Sequence, residues 1–370
     1  MVRLDTYLYT FKDWPNLTWD SKRLESSLSN LRNLQGKLAG KMELLSFMDR
    51  NEVILESLTM EVKKSSEIEG EVFDFKQVRS SLARQLNMNV PGLIPSQKNV
   101  DGVVKMTLEA IENYDKKMTA QRLFSWHKNL FPKGLYDSKK LDIGCWRTGK
   151  HGEMQIVSGP MGKEKVHYQA PSANVLEDEM KRFINWFNDK SDMDYVIKSG
   201  VAHLYFILIH PFEDGNGRIA RVLTDMLLAR SENSSLRYYS MSSELKTNQK
   251  QYYNELEKAQ SKSLDVTDWL LWFLDSLKNA IETSNRILEN TFKRHQFWHN
   301  NSTKVKNERQ IKVLNKLFDN FEGKLTSSKW AKMNKCSKDT AIRDIQDLIN
   351  KGILLQNDAG GRSVSYRLVE

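Results

Sequence analysis

Apolar residues recur at helical spacing along most of the chain. A polar-apolar helix is predicted from Ser21 past Leu34, after loop punctuation at Trp14-Pro15 and Trp19-Asp20. A second is predicted from about Asn51 to Glu69, with Ile54, Leu58 and Val62 at intervals of four. Val90-Pro91-Gly92-Leu93-Ile94-Pro95 breaks the pattern. Helical spacing resumes beyond it: Leu176, Met180, Phe183, Ile184 and Phe187 share one face, and Trp269, Leu270, Trp272, Phe273 and Leu277 another. Between Tyr195 and Ile209 the run Leu204-Tyr205-Phe206-Ile207-Leu208-Ile209 is apolar all round, which predicts a helix enclosed by others. Between Gly144 and Pro171, glycines punctuate short stretches such as Met154-Gln155-Ile156-Val157, and a β-hairpin is the natural reading.

The last eighty residues change style. Ile311, Leu314, Leu317, Phe318 and Phe321 form one apolar face, and Ser337 is a candidate N-cap for a helix carrying Ile342, Ile345, Leu348 and Ile349. Ile353-Leu354-Leu355, a turn at Asp358-Ala359-Gly360-Gly361 and the alternation Val364, Tyr366, Leu368 complete the order of a winged helix. The fold class is therefore mainly α. Three regions are expected: a helical N-terminal region at 1–95, a helical core with a β-hairpin at 96–290, and a winged-helix-like domain at 291–370.

Composition narrows the setting. With 39% hydrophobic residues in 370, the chain can bury more than one core. Its longest apolar run falls well short of the roughly 20 residues that span a bilayer, so no membrane partner is expected. The opening residues lack the apolar run of a signal peptide. The two cysteines, Cys145 and Cys336, form neither a metal-ligand pair nor a disulfide framework. A cytoplasmic protein is the expectation. The net charge of +9 is uneven, since residues 301–370 hold 14 Lys+Arg against 8 Asp+Glu, or +6. A basic C-terminal region admits nucleic acid as a partner.

The chemistry concentrates in His210-Pro211-Phe212-Glu213-Asp214-Gly215-Asn216-Gly217-Arg218-Ile219-Ala220-Arg221. Pro211 ends the buried helix, because its ring cannot sit in a helix interior. Gly215, Asn216 and Gly217 tolerate the positive φ that turns successive amides inward. Ile219, Val222, Leu223 and Met226 then begin a new helix, whose N-terminus is suited to an anion. Arg218 and Arg221 add two guanidinium forks one turn apart. Asp214 supplies the kind of oxygen ligand that a phosphate-bound magnesium takes from protein. His210, with a reference pKa of about 6.5, suits the removal of a hydroxyl proton at neutral pH. Phosphate binding follows from these residues.

The same twelve residues match the signature HPFx[DE]GNGRxxR, and on this motif the chain resembles the Fic family. The resemblance implies a helical core that transfers AMP from ATP, with Mg2+, to a Ser, Thr or Tyr hydroxyl of a target protein. His210 is then the base and Asp214 the magnesium ligand. Gly215, Asn216, Gly217 and Arg218 cradle the phosphates, and Arg218 and Arg221 stabilise the leaving pyrophosphate. Phe212 packs in the core and fixes the loop. The hairpin around Ile156, Val157, Ser158 and Gly159 occupies the place of the family's target-docking flap. Tyr253 and Gln260 lie in a segment resembling the one that packs around adenine.

Ser65-Ser66-Glu67-Ile68-Glu69-Gly70 matches the family's inhibitory pattern [ST]xxxE[GN]. At about 100° per residue, Ile54, Leu58, Val62, Ser65 and Glu69 share a face. A carboxylate continuing an apolar stripe needs a cationic partner. The family implies Arg221, so Ser65, Glu69 and Gly70 are the expected inhibitory elements.

Two alternatives accompany this reading. One is a Fic-fold enzyme that removes AMP, transfers UMP or transfers phosphate. The other is a DNA-binding regulator with an ATP-sensing core. For the latter, Lys338, Thr340 and Arg343 face away from the apolar stripe of the presumed recognition helix and Arg362 sits on the wing, whereas Asp339, Asp344 and Asp347 oppose DNA. A second copy of the chain is also admitted as a partner.

Overall fold

The computed structural model describes residues 7–132, 135–136, 139–150, 152–158, 165–190, 192–260, 263–318, 321, 323–357 and 364–369. Helices α1 (Ser21–Glu43), α2 (Phe47–Ile68), α3 (Phe75–Gln85), α4 (Lys98–Glu112) and α5 (Ala120–Leu130) come first. Two hairpins follow, β1 (Leu135–Tyr136) with β2 (Lys139–Lys140), and β3 (Gln155–Ser158) with β4 (Lys165–Gln169). Helices α6 (Leu176–Asn188), α7 (Tyr195–Ile209), α8 (Asn216–Glu232), α9 (Met241–Thr247), α10 (Gln249–Ala259) and α11 (Thr267–Asn301) come next. The chain closes with α12 (Glu308–Phe318), α13 (Ser327–Asn334), α14 (Lys338–Asn350) and the antiparallel pair β5 (Leu354–Gln356) and β6 (Tyr366–Leu368). The fold is mainly α, and no helix among the described residues is long and apolar enough to cross a membrane.

Packing divides the chain into two compact units, 1–284 and 285–370, with the division inside α11. The sequence-based regions 1–95 and most of 96–290 therefore belong to one unit. The reason is visible in α2, which packs on α3, α4, α8 and α9 rather than within an N-terminal module. Its capping was only partly legible in the pattern. Ser46 accepts a hydrogen bond from the Asp49 amide, starting α2 one turn earlier than expected, at Phe47.

The centre of the first unit is α7, every residue of which from Val196 to Ile209 is buried. It packs against α8 and α6. Apolar contact on all sides accounts for a helix without a polar face. In the second unit Val313, Leu314, Leu325, Trp330, Ala341, Ile345, Leu348, Ile353 and Leu354 form a core of their own.

Candidate active site

The twelve-residue motif forms the corner between α7 and α8. His210 caps α7 in the left-handed region at φ 50°, and Gly215 precedes α8 at φ 81°. A left-handed conformation is uncommon for a residue with a Cβ and is held only where its surroundings fix it. Here they do. The Arg147 amide donates to the Pro211 carbonyl at 2.9 Å, and Arg147 Nε donates to the His210 carbonyl at 2.8 Å. The same guanidinium also reaches the Pro171 carbonyl. Tyr168, on β4, donates its hydroxyl to Leu208 O at 2.6 Å, tying the hairpin base to the last turn of α7.

The loop interior is closed by two further groups. Asn216 donates from Nδ2 to Phe212 O at 2.8 Å and accepts from Phe212 N at 2.9 Å. Its side-chain amide therefore closes the loop. Phe212 is fully buried, stacked on His127 at 4.2 Å. His127 accepts from Gly144 N at Nδ1 (3.1 Å), so the proton on Nε2 is donated to Asp214 O (3.1 Å). Burial lowers its pKa to about 4, and this neutral form fixes the backbone of Asp214.

His210 is partly buried. Its Nδ1 lies 3.3 Å from Ile207 O, and a carbonyl only accepts, so Nδ1 carries the proton and Nε2 keeps its lone pair. Burial lowers the imidazole pKa to about 4, with Arg147 acting in the same direction and the Ile207 bond and Glu69 opposing. The ring is neutral at physiological pH, the state a proton acceptor needs.

Arg218 and Arg221 are 1% and 3% exposed, which is costly for a charge unless it is paired. Both partners come from the C-terminal end of α2. Arg221 donates from NH2 to Glu69 Oε1 at 2.7 Å and to Ser65 O at 2.9 Å, and from Nε to Ser65 Oγ at 2.8 Å. Arg218 donates from NH1 to Glu71 Oε2 at 2.7 Å and lies over the Phe131 ring at 5.2 Å. Burial raises the Glu71 pKa; Arg218 works against that rise, while Asp214 and Glu69 add to it.

The end of α2 explains how two carboxylates arrive together. Glu69 is the C-cap, and Gly70 follows at φ 85°. The Gly70 amide donates to Glu67 O at 3.2 Å and the Glu71 amide to Ser66 O at 3.0 Å, the paired bonds of a Schellman ending. A left-handed residue is required at 70, hence glycine. The turn carries Glu71 back beside Glu69. Side chains from α9 and α10 take up the remaining carbonyls of α2. Lys246 Nζ donates to Glu67 O at 2.8 Å, and Gln249 Nε2 and Tyr253 OH donate to Ile68 O at 2.9 and 3.4 Å. Glu69 thus sits at the helix cap and, with Ser65, meets Arg221.

Gly217 differs from its expected role. Among the motif glycines only Gly215 has positive φ, whereas Gly217 lies in the first turn of α8. Its lack of a side chain serves proximity: an added Cβ would meet Glu69 Oε1 at 2.1 Å and Arg221 NH1 at 3.2 Å. A carboxylate oxygen thus lies against the N-terminus of α8, where an anion is favoured. Nε and NH2 of Arg218 and NH1 of Arg221 are buried without a hydrogen-bond partner among the described residues. Such nitrogens fit further anionic oxygens, as a polyphosphate would bring.

Asp214 contacts Arg218 NH2 at 3.9 Å and accepts from Gly215 N at 2.5 Å. Burial raises its pKa, with Arg218 opposing. No group of three or more His, Cys, Asp or Glu that could hold a metal occurs among the described residues. A single carboxylate fits magnesium bound chiefly through phosphate and water.

Of the remaining expected residues, Tyr253 is 44% exposed beside the end of α2, whereas its neighbour Tyr252 is buried with its hydroxyl 2.8 Å from His203 Nε2. The Gln260 side chain is buried, and its Oε1 has no hydrogen-bond partner among the described residues. Ile156, Val157 and Ser158 lie on β3, paired with Tyr168, Val166 and Lys165, and Val157 is exposed. Gly159 lies outside the described residues. Glu71, Arg147, His127, Tyr168, Lys246 and Gln249 were not anticipated.

Comparison with known proteins bears on this corner directly. A family model described as the Fic/DOC family matches residues 117–228, from before α5 into α8 and across the whole motif. Residues 117–228 are thus a Fic region. Ahead of the Fic region, a domain of unknown function, DUF4172, matches residues 7–88, which include α2 and both carboxylates. Protein adenylyltransferase fic-1 of Caenorhabditis briggsae is 39% identical over 171 residues, covering 44% of this chain and 30% of that protein. A probable protein adenylyltransferase of Aquifex aeolicus is 27% identical over 103 residues, covering 28% and 30%. The chain thus spans less than a third of the length of either. A solved Fic family protein from Desulfovibrio desulfuricans aligns with 93% of this chain and 96% of its own at a TM-score of 0.51 and 19% identity, a likeness of fold.

Proposed function

We propose that this Fic protein is a protein adenylyltransferase held inactive by the carboxylates at the end of α2. The observation that carries the reading is a neutral His210 with a free Nε2 at a helix corner whose buried arginines are paired by Glu69 and Glu71.

In the reaction, the oxygen of a target Ser, Thr or Tyr attacks the α-phosphorus of ATP. The bond to the bridging oxygen of the β-phosphate breaks, pyrophosphate departs with the electron pair, and His210 Nε2 takes the hydroxyl proton. Arg218 and Arg221 bind phosphate oxygens and stabilise the departing charge once α2's carboxylates have moved. Asp214 would hold magnesium, which supplies further neutralisation of phosphate charge. Tyr253 would flank the adenine. Among the described residues β3 pairs only with β4, and a target segment would add as a strand along its other edge, bringing its hydroxyl toward His210.

Inhibition follows from competition. Glu69 and Glu71 and a triphosphate are all anions seeking the same guanidinium groups. Glu69→Gly with ATP carrying label at the α-phosphorus should label itself or a partner protein, and Glu69→Gly/His210→Ala should not. ATP labelled at the γ-phosphorus should transfer nothing. Transfer of γ-label, or none from either nucleotide, would overturn the proposal. Label from UTP in preference to ATP would favour uridylyl transfer.

A further inference from the structure

We propose that residues 285–370 bind double-stranded DNA through the corner formed by α13 and α14. The two helices are joined by only three residues, Lys335, Cys336 and Ser337, and are followed by the β5–β6 pair. Two helices joined by so short a turn can present the second to a major groove.

The distribution of charge on α14 decides what such a face would meet. Ala341, Asp344, Ile345 and Leu348 are buried, and Lys338, Asp339, Ile342, Arg343, Gln346 and Asn350 are exposed. Two of the three acidic residues that seemed to oppose DNA are paired with neighbouring side chains, Asp344 buried and Asp347 half-exposed. Asp344 accepts from Arg309 Nε and NH2 at 2.8 and 2.9 Å and from Asn307 Nδ2 at 3.0 Å. Asp347 accepts from Gln310 Nε2 at 2.8 Å and Lys351 Nζ at 2.6 Å. Lys332, Lys335, Lys338 and Arg343 remain exposed around the turn, with no ion-pair partner among the described residues. Asp339 is the one acidic residue on the exposed face of α14. Ile342, 44% exposed between Lys338 and Arg343, is an apolar side chain of the kind that meets a thymine methyl group. Arg362 lies outside the described residues and is not needed for this surface.

Four phosphate contacts predict a slope of log affinity against log salt of about −3.6, or roughly a 100-fold loss from 50 to 200 mM. The test is fluorescence anisotropy of the full chain with a fluorescein-labelled, mixed-sequence 24-base-pair duplex in 50 to 200 mM KCl. The wild type should bind with that salt dependence, and Lys335→Glu/Lys338→Glu/Arg343→Glu should weaken binding at least 100-fold at 50 mM. Asp339→Asn should tighten it several-fold. All four side chains are exposed, so melting temperature should hardly change. No binding at 50 mM, an affinity indifferent to charge reversal, or equal affinity for the single strand would each overturn the proposal. AMP transfer by the Glu69→Gly protein would be unaffected by any of these outcomes.

Discussion

Replacing Glu71 separates a packing role from a competition with phosphate. Arg218 is almost wholly buried, and among the described residues Glu71 makes its only direct hydrogen bond to a carboxylate. Asp214, at 3.9 Å, is too distant to replace it, and the Phe131 face offers a weak contact. Removing one partner of a fully buried pair costs about 3–5 kcal/mol. Glu71 keeps 24% of its side chain exposed, and its burial already raises its pKa, so its carboxylate is held at a cost. Glu71→Ala should therefore destabilise the first unit by less, about 2–3 kcal/mol, or roughly 4–8 °C in melting temperature. Nucleotide should act in the opposite sense. ATP phosphates would supply the missing anion without displacing a carboxylate, and each 1.4 kcal/mol of competition removed tightens binding about tenfold. Thermal denaturation with and without magnesium-ATP reads both effects. The variant should melt lower alone and gain more from ATP than the wild type. A lower melting temperature with an unchanged ATP increment would mean that Glu71 only packs, and the competition argument would fail.

Further outcomes follow from the same geometry. Gly217→Ala places a Cβ against Glu69, so it should cost about 1–3 kcal/mol alone but little in a Glu69→Gly background; a double-mutant cycle measured by urea denaturation reads the coupling. Arg147→Ala frees the His210 carbonyl and should lower kcat of the Glu69→Gly enzyme 10- to 100-fold while leaving KM for ATP nearly constant; equal loss in both would point to general unfolding. The depressed His210 pKa keeps the base neutral as pH falls below 6.5, so kcat/KM should hold to about pH 5 and decline toward pH 4. An acid limb centred on 6.5 would contradict that assignment. Linkage runs the same way for stability. The depressed pKa values of His127 and His203 favour the neutral rings in the folded state, a contribution complete above pH 6.5 and lost progressively as pH falls toward 4.

The sequence disclosed the parts whose cause is local. Periodicity located α2, α7 and α14, and the apolar circumference of α7 signalled its enclosure. The dense motif at 210–221 raised the expectation of an anion site because its residue types are rarely combined by packing needs alone. What periodicity could not show was which polar groups meet across distant segments. Arg147 and Tyr168 hold the His210 corner from 63 and 40 positions away in hydrogen-bond separation, and neither lies in a telling pattern. The bonds of the Asn216 side chain to Phe212 were equally hidden, because they depend on how tightly the loop closes. Glu71 could have been found. A glycine that ends a helix in the left-handed conformation turns the chain back, so the residue after it returns to the side of the cap. Asp344 was misjudged for the opposite reason: a charged residue reads as exposed until its partner, Arg309, is seen.

If α2 holds its carboxylates against the arginines that ATP requires, removing them must tighten nucleotide binding. Isothermal titration of a non-hydrolysable ATP analogue with magnesium, into wild type, Glu69→Gly, Glu71→Gln and the double variant, tests it directly. Each charge-assisted hydrogen bond removed should tighten binding by about 1.5–3 kcal/mol, roughly 10- to 100-fold. The double variant should bind tightest, and Arg221→Ala should abolish the gain from Glu69→Gly. Equal affinity across the four proteins would contradict the claim.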